Sequence, residues 1–448
     1  MSDWMVTHSP STGRRPRALS PLREHLRDTF WFAPAAAMVS VFVVWVVASE
    51  IDTALVGALQ DEQEYDTIED LLKVANDAKA VVTTVSSAMM TFIGVVFSIS
   101  LVAVQMASGQ FSPRVVRIFV RSRITKATFA VFLSTFLLTL LVLTAYDSEP
   151  DPRRVSSVPL IQSLLTLAMV MLSLVLFVMY VNTTLRLMRI SQVIARIVGE
   201  SFRVAALMPV GPPADEGALG PETAWIAHEG RAGVLRDVNI ARLVRVARQH
   251  DVVLRLIPRT GDFVLPGTPV LAVHGGQAPP RRALRYAVSV GVERTFHQDL
   301  AFGLRQLSDI ALRALSSAIN DPTTAVQALD RIVQFLAALA RRPLHASLHR
   351  DRKGAVRLVQ PVPGWTDLVD LGFTEIRDCA VGNPQVTRRL LAGLDDLALL
   401  VPEDRRAPLL RHRALLAQAV ETGVPVAADR AFALQPDRQG IGCLLYTS

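Results

Sequence analysis

The stretch AVVTTVSSAMMTFIGVVFSISLVAVQMA, residues 80–107, decides the fold class of this chain. It contains no charged residue, and it exceeds the ~20 apolar residues that a helix needs to cross a bilayer. The segment that follows, SGQFSPRVVRIFVRSR, carries several arginines and no acid. The sequence therefore predicts a membrane-spanning helix that ends in a basic loop.

Three further apolar segments extend this prediction to four transmembrane helices. The predicted spans are residues 30–49, 80–107, 127–146 and 159–181. Each reaches the ~18 residues that are typical of a span. A helix satisfies its own backbone hydrogen bonds in lipid, so we expect an α-helical membrane domain over residues 30–181.

The charges between the spans predict the orientation. Arginines crowd the tail 1–29 and the loop after the second span, whereas the segment 50–79, read as a loop, is rich in acids. Because positive loops stay in the cytoplasm, we expect both termini there and the chain in the bacterial inner membrane. We expect four arginines to contact anionic lipid head groups: Arg114, Arg117, Arg121 and Arg123.

The composition of the 448 residues agrees with a membrane protein: 50% are hydrophobic, 19% are charged, and the net charge is +7. The basic clusters flank the spans and no nucleic-acid motif accompanies them, so we expect no nucleic-acid partner. Two cysteines without a CxxC pattern indicate neither a disulfide framework nor a zinc site. The terminal CLLYTS resembles a translated sequencing adapter, which predicts a non-native tail over residues 441–448.

The second span carries a patterned polar face. Its members recur at helical spacing: Ser87, Thr91, Gly94, Ser98, Gln105 and Ser108. Such a face lines a path for a solute or ion, or it packs closely against another helix, and packing is the commoner use. The opposite side is expected to face lipid, through Phe92, Val96, Ile99 and Val102 or Ala103. The fourth span repeats the pattern more thinly in Gln162, Thr166, Ser173 and Tyr180.

No Asp, Glu, Lys, Arg or His lies within the four predicted spans. Intramembrane charges are typical of proton relays and voltage sensors. Their absence argues against a proton-coupled pump or a voltage-gated protein.

The rest of the chain predicts an α+β domain on the cytoplasmic side. Residues 182–275 predict a linker helix and a small β-rich unit, in which short strands alternate with glycine turns. Residues 276–440 predict a mainly helical domain. A strand is predicted in YAVSVGVE (286–293). A helical hairpin follows, in which Asp321 is the N-cap and Pro322 the first helical residue.

The densest polar cluster of this domain lies around the predicted hairpin. It contains Arg294, His297, Asp299, Arg305, Asn320 and Asp321. The arginines suit an anion or a nucleotide. Ion pairs and caps at helix ends need no ligand, and this structural interpretation is favoured. His345 and His349 are four residues apart but lack an HExxH motif, so we expect no metal there.

Three segments together resemble a bacterial family of predicted membrane proteins, the domain of unknown function 2254. They are QMASGQFSPR (105–114), ERTFHQDLAFGLRQLSDIALRAL (293–315) and SSAINDPTTAVQALDRI (316–332). The resemblance implies a membrane domain followed by a cytoplasmic domain, and it implies no reaction.

Two hypotheses for the function stay open. The first is an oligomeric, channel-like or transport-related protein with a cytoplasmic regulatory domain. The second is a membrane-anchored ligand sensor or scaffold without a pore. The sequence contains no P-loop, GxSxG or kinase motif, so we expect no enzymatic activity, catalytic residue or cofactor.

Overall fold

The computed structural model describes residues 29, 31–110, 122–146, 155, 157–187, 189–208 and 219–439, with no side chains described for 107–110 and 187. The chain divides into two compact units, one containing residues 21–192 and the other residues 193–448. The predicted non-native tail and the arginines Arg114, Arg117 and Arg121 lie outside the described residues.

The N-terminal unit contains four long apolar helices. They are α1 (Phe32–Asp61), α2 (Tyr65–Gln110), α3 (Arg123–Thr144) and α4 (Leu160–Leu187). Each is long and apolar enough to cross a membrane. The four predicted spans are therefore confirmed as helices. The interpretation of residues 50–79 as a loop was wrong, because α1 and α2 continue through almost all of them.

The charged extensions of α1 and α2 are helical because their other face is apolar. Val56 of α1 and Ala75 of α2 form a buried cluster with Val155 and Val158. The acids of this segment other than Asp52 are exposed. α2 has 46 residues, about 69 Å at 1.5 Å per residue. This greatly exceeds the ~30 Å hydrocarbon core of a bilayer, so part of α2 must lie outside it.

α3 is the central helix of this unit. In its most apolar 18-residue segment, 50% of the residues are buried, whereas the corresponding share in the other three helices is 11–17%. Phe132 and Leu138 of α3 are almost fully enclosed. Ser122 caps the N-terminus of α3 by accepting a hydrogen bond from the Thr125 backbone N–H. The other three helices therefore pack around α3.

The C-terminal unit begins within α5 (Ile190–Leu207), whose buried face includes Ile194, Ile197 and Ser201. A five-stranded sheet follows, in the order β1-β5-β3-β8-β7. Its strands are β1 (Glu222–Ala227), β3 (Val253–Leu256), β5 (Pro269–His274), β7 (Ser347–Arg350) and β8 (Val356–Gln360). Only the β3–β8 pair is parallel within the described sheet. The sequence did not predict β7 and β8.

A second sheet of three strands has the order β4-β2-β6. It consists of β2 (Gly233–Val238), β4 (Phe263–Val264) and β6 (Val288–Gly291). β1 and β2 follow each other in the chain around a glycine turn, as the sequence predicted for short strands, but they belong to different sheets. α6 (Ile240–Gln249), capped by Asn239, packs its buried face against the core formed by both sheets.

The remaining helices form the predicted helical region. After the short α7 (Arg281–Leu284) come α8 (Phe302–Ala314), α9 (Pro322–Leu339), α10 (Trp365–Ala380), α11 (Pro384–Leu400), α12 (Arg406–Gly423) and α13 (Ala427–Ala433). Asp321 caps α9 through the Thr324 backbone N–H, and Pro322 is the first residue of that helix, as predicted. The described chain is thus four apolar helices followed by a region of mixed helix and sheet.

Candidate functional site

The polar face of α2 points away from the unit to which α2 belongs. Ser87, Thr91, Gly94, Ser98 and Gln105 are all exposed. The opposite face of α2 is buried against α3 and α4 and includes Val82, Ser86, Met89, Val96 and Ala103. Phe92 and Ile99 pack against the same cluster. The expectation that this side faces lipid was therefore wrong for Phe92, Val96 and Ile99. Of the alternatives Val102 and Ala103, Val102 is exposed. The polar face does not serve as a packing seam within this unit.

The hydroxyl groups on this exposed face are partly satisfied by their own helix. Ser87 Oγ donates to the Thr83 carbonyl (3.3 Å), and Thr91 Oγ1 donates to the Ser87 carbonyl (3.5 Å). Ser98 and Gln105 have no hydrogen-bond partner within the described part of the chain. Their side chains are therefore free to form hydrogen bonds with groups outside this unit.

The thinner polar pattern of the fourth span is the one that packs inside the unit. Gln162, Thr166, Ser173 and Tyr180 are each at most 2% exposed. Ser173 Oγ lies 3.1 Å from Thr135 Oγ1 of α3. The Tyr180 hydroxyl lies 2.5 Å from Ser100 Oγ and donates to the Val96 carbonyl (3.0 Å). Hydrogen bonds thus join α4 to α3 and α2.

The interior of this unit is closely packed. A crevice of about 50 Å³ lies between α2, α3 and α4, beside the aromatic rings of Phe92, Phe132 and Phe177. This volume would admit a few water molecules. The lining is apolar and largely aromatic, however, which does not suit an ion. The exposed face of α2 therefore suits an aqueous path better than this crevice does.

Asp52 is a buried acid in the N-terminal unit. It was assigned to an acidic loop, but it lies on the buried face of α1 and is 0% exposed. Its carboxylate accepts hydrogen bonds from the backbone N–H groups of Ile161 and Gln162, at the start of α4. The available signal was spacing, because Ala48, Asp52 and Val56 share one face of a helix.

In the C-terminal unit the structure brings Arg294 and Asp299 together. The guanidinium donates from Nε and Nη2 to the two carboxylate oxygens, each at 2.9 Å. The Asp299 side chain is 1% exposed and also accepts from the Phe302 backbone N–H (3.1 Å). Burial raises the pKa of this carboxyl group, and Arg294 opposes the rise. Gly261 (φ +103°) approaches the pair so closely that a Cβ would meet both side chains.

Side chains of the loop that carries Arg294 contact strand β2. Gln298 adopts a left-handed conformation (φ 59°). Its side-chain amide accepts from the Val238 N–H (3.2 Å) and donates to the Val238 carbonyl (3.0 Å). His297 Nε2 lies 3.1 Å from Oδ1 of the buried Asp237. Sequence reasoning missed Gln298 and Asp237, because these contacts join segments that are distant in the chain.

The other members of the predicted cluster lie apart from this pair. Arg305 donates to Asp309 (2.8 Å) and to Glu375 (2.9 Å). Its pKa is raised, chiefly by the hydrogen bond to Glu375. Asn320 and Asp321 lie beyond the other end of α8, about 20 Å along a 13-residue helix. The six residues therefore do not form one site.

The structure places Arg123, the one described member of the predicted lipid-binding arginines, at the exposed start of α3.

His349 lies in β7, where Nε2 is 3.1 Å from the Gln360 side chain, and His345 precedes the strand. The two histidines therefore do not share a helix face. Across the described ranges, no three His, Cys, Asp or Glu side chains converge as a metal site of that kind would need.

Comparison with known proteins places the whole architecture in a family. Residues 27–396 match the family described as "Predicted membrane protein (DUF2254)". The chain belongs to this family. It is also 30% identical over 445 residues to uncharacterized proteins of Mycobacterium bovis and of Mycobacterium tuberculosis strain H37Rv, covering 96% of this chain and 84% of each relative. No solved structure matches the chain.

The DUF2254 match bears on the interpretation of the fold. It begins just before α1 and ends within α11, so it covers the four apolar helices and both sheets. The chain is therefore a predicted membrane protein in which the family's sequence pattern spans both units. Neither the family description nor the names of the mycobacterial relatives states an activity.

Proposed function

We propose that this DUF2254 protein is an oligomeric, channel-like protein of the bacterial inner membrane, in which the exposed polar face of α2 lines a path at the contact between copies. The observation that carries the proposal is the direction of this face. In a membrane it meets lipid or another protein. A buried, unpaired amide or hydroxyl costs about 1–3 kcal/mol in protein mutational data, so Ser98 and Gln105 favour a polar environment over lipid.

The proposed assembly has both termini in the cytoplasm and the C-terminal unit as a regulatory domain. The distribution of loop arginines supports this orientation. Arg123, exposed at the start of α3, suits contact with anionic lipid head groups, together with Arg114, Arg117 and Arg121. We assign no reaction and no nucleic-acid partner to the chain.

Cysteine cross-linking in native membranes tests the assembly. In a background without Cys379 and Cys443, Ser98→Cys should form disulfide-linked dimers when oxidised. Phe97→Cys is the matched control, because Phe97 is 60% exposed but lies about 100° around the helix. Equal cross-linking at both positions, or none at Ser98→Cys, would contradict an interface on the polar face.

Water access and flux then separate a path from a packed interface. If the face lines a path, Ser98→Cys reacts with a membrane-impermeant thiol reagent, and liposomes containing the pure protein release small ions. Modification of the cysteine should reduce that release. Cross-linked copies that neither react nor conduct would favour the alternative, a membrane-anchored sensor or scaffold without a pore.

A further inference from the structure

Asp52 is a buried carboxylate whose charge is only partly compensated. Its side chain is fully enclosed, and its bonds are to the Ile161 N–H (2.9 Å) and the Gln162 N–H (3.3 Å). Within the described part of the chain, no Lys, Arg or His forms an ion pair with it. A helix N-terminus supplies about +0.5 charge. About half of the negative charge on Asp52 is therefore unbalanced.

Gln162 provides an independent indication of a missing partner. Its side chain is 0% exposed, and neither Nε2 nor Oε1 has a hydrogen-bond partner in the described part of the unit. Buried polar atoms are almost always paired, so two orphans on one side chain require an explanation. The backbone N–H of Gln162 bonds to the Asp52 carboxylate, so the two residues are neighbours at the start of α4.

We propose that Asp52 and Gln162 bind one small monovalent cation, represented by Na⁺, between the carboxylate and the amide oxygen. Oxygen ligands of this kind suit hard cations. A single positive charge matches one carboxylate that is half compensated by a helix, whereas a divalent ion would leave an excess of about +1.5. The helix N-terminus opposes any cation, so binding should be weak, in the millimolar range.

The site lies within one copy of the chain, on α1 and α4, and the exposed face of α2 takes no part in it. The experiments on this cation site therefore do not depend on whether the proposed path exists. Bound Na⁺ neutralises the carboxylate that joins α1 to the start of α4, and binding to the folded state alone stabilises it.

Binding of radioactive Na⁺ to the full-length protein in detergent tests the proposal, with choline chloride holding the ionic strength constant. The wild-type protein should show saturable binding of one ion per chain. Asp52→Asn keeps an oxygen for one backbone bond but removes the charge, and should weaken binding at least tenfold. Gln162→Met removes the amide at similar volume and leaves Asp52 intact, and should also weaken it.

Thr166→Val is the matched control. Thr166 is as buried as Gln162 but donates only to the Gln162 carbonyl of its own helix (2.9 Å), so this variant should bind Na⁺ as the wild type does. Size-exclusion profiles establish that each variant is folded. Absence of saturable binding in the wild type, as expected if water alone fills the site, would overturn the proposal. Wild-type affinity in a folded Asp52→Asn or Gln162→Met variant would overturn it equally.

Discussion

Arg294→Ala should destabilise the C-terminal unit rather than abolish binding of an anion. In the structure both oxygens of the Asp299 carboxylate depend on Arg294 for their charged partner. Removing one partner of a buried ion pair costs about 3–5 kcal/mol, because the other charge stays buried. The Arg294 side chain is 23% exposed, so solvent screening reduces the expected cost to about 3 kcal/mol.

This cost translates into a measurable change of the melting temperature. For a unit of this size, 1 kcal/mol corresponds to about 2–4 °C, so the expected decrease is about 6–12 °C. Differential scanning fluorimetry of the full-length protein in detergent measures it. Arg438→Ala is the matched control. Arg438 pairs with Asp396 at 2.8 Å but is 79% exposed, so its loss should lower the midpoint by at most ~4 °C.

The pH dependence provides a second measurement on the same variant. Burial raises the pKa of Asp299 above its value in the unfolded chain. The folded state therefore holds this proton more tightly, and the contribution of Asp299 to stability falls as the pH rises through the folded pKa. A neutral carboxyl group needs no arginine, so the deficit of Arg294→Ala should be smaller at about pH 5 than at about pH 7.5.

If Arg294→Ala melts within ~2 °C of Arg438→Ala at about pH 7.5, the Arg294–Asp299 ion pair does not stabilise the unit as expected. Unchanged stability together with lost binding of phosphate or a nucleotide would instead establish Arg294 as a ligand-binding residue.

Three further predictions concern packing and charge elsewhere. Burial lowers the pKa of His412 from 6.5, so the unfolded state takes up the proton first and stability should fall below about pH 6.5. A folded His412→Gln variant that retains this slope by thermal melting would contradict the assignment. Gly303→Ala places a methyl group 2.9 Å from Ser201 Cβ, and this overpacking should cost about 1–3 kcal/mol of stability. A second substitution, Ser201→Gly, should recover most of this loss. A double variant as unstable as Gly303→Ala would show that the strain lies elsewhere. Tyr180→Phe loses two buried hydrogen bonds and should cost about 1–3 kcal/mol, so a variant with the wild-type melting temperature would show that α4 does not depend on them.

The helices could be predicted from the sequence, but not all of their ends. Apolar length identifies a span because lipid excludes charge. The same criterion led to the wrong prediction of a loop over residues 50–79, although this segment contains Ala, Leu, Glu and Lys, which all favour helices. The burial of Asp52 could not be predicted because it depends on the start of α4, more than a hundred residues away.

Local signals in the C-terminal unit were reliable where the contacts were local. Asn239 and Asp321 cap the helices that follow them through the third backbone N–H. β8, in contrast, forms its parallel pair with β3 across about a hundred residues of chain. Arg305 likewise finds Glu375 only after folding. No helical or alternating periodicity within one segment contains such information.

The polar face of α2 shows a limit that is specific to membranes. Periodicity correctly identified the residues that share a face, but not the direction of that face. In water the apolar side of a helix turns inward, whereas lipid is as apolar as the packed interior and removes this preference. Close packing then decides, and Val82, Met89 and Val96 fit against α3 and α4. The polar face of α2 therefore lies on the outer surface of the unit.

This arrangement indicates where association of two copies would gain most. Ser87 and Thr91 already bond to their own backbone, so a partner adds little to them. Ser98 and Gln105 lack partners in the described chain, and an unmet polar group in an apolar environment costs more than a bonded one. Gln105→Leu should therefore weaken association more than Thr91→Val. The reverse order in a concentration-dependent energy-transfer assay would show that shape alone, not hydrogen bonding, governs the contact.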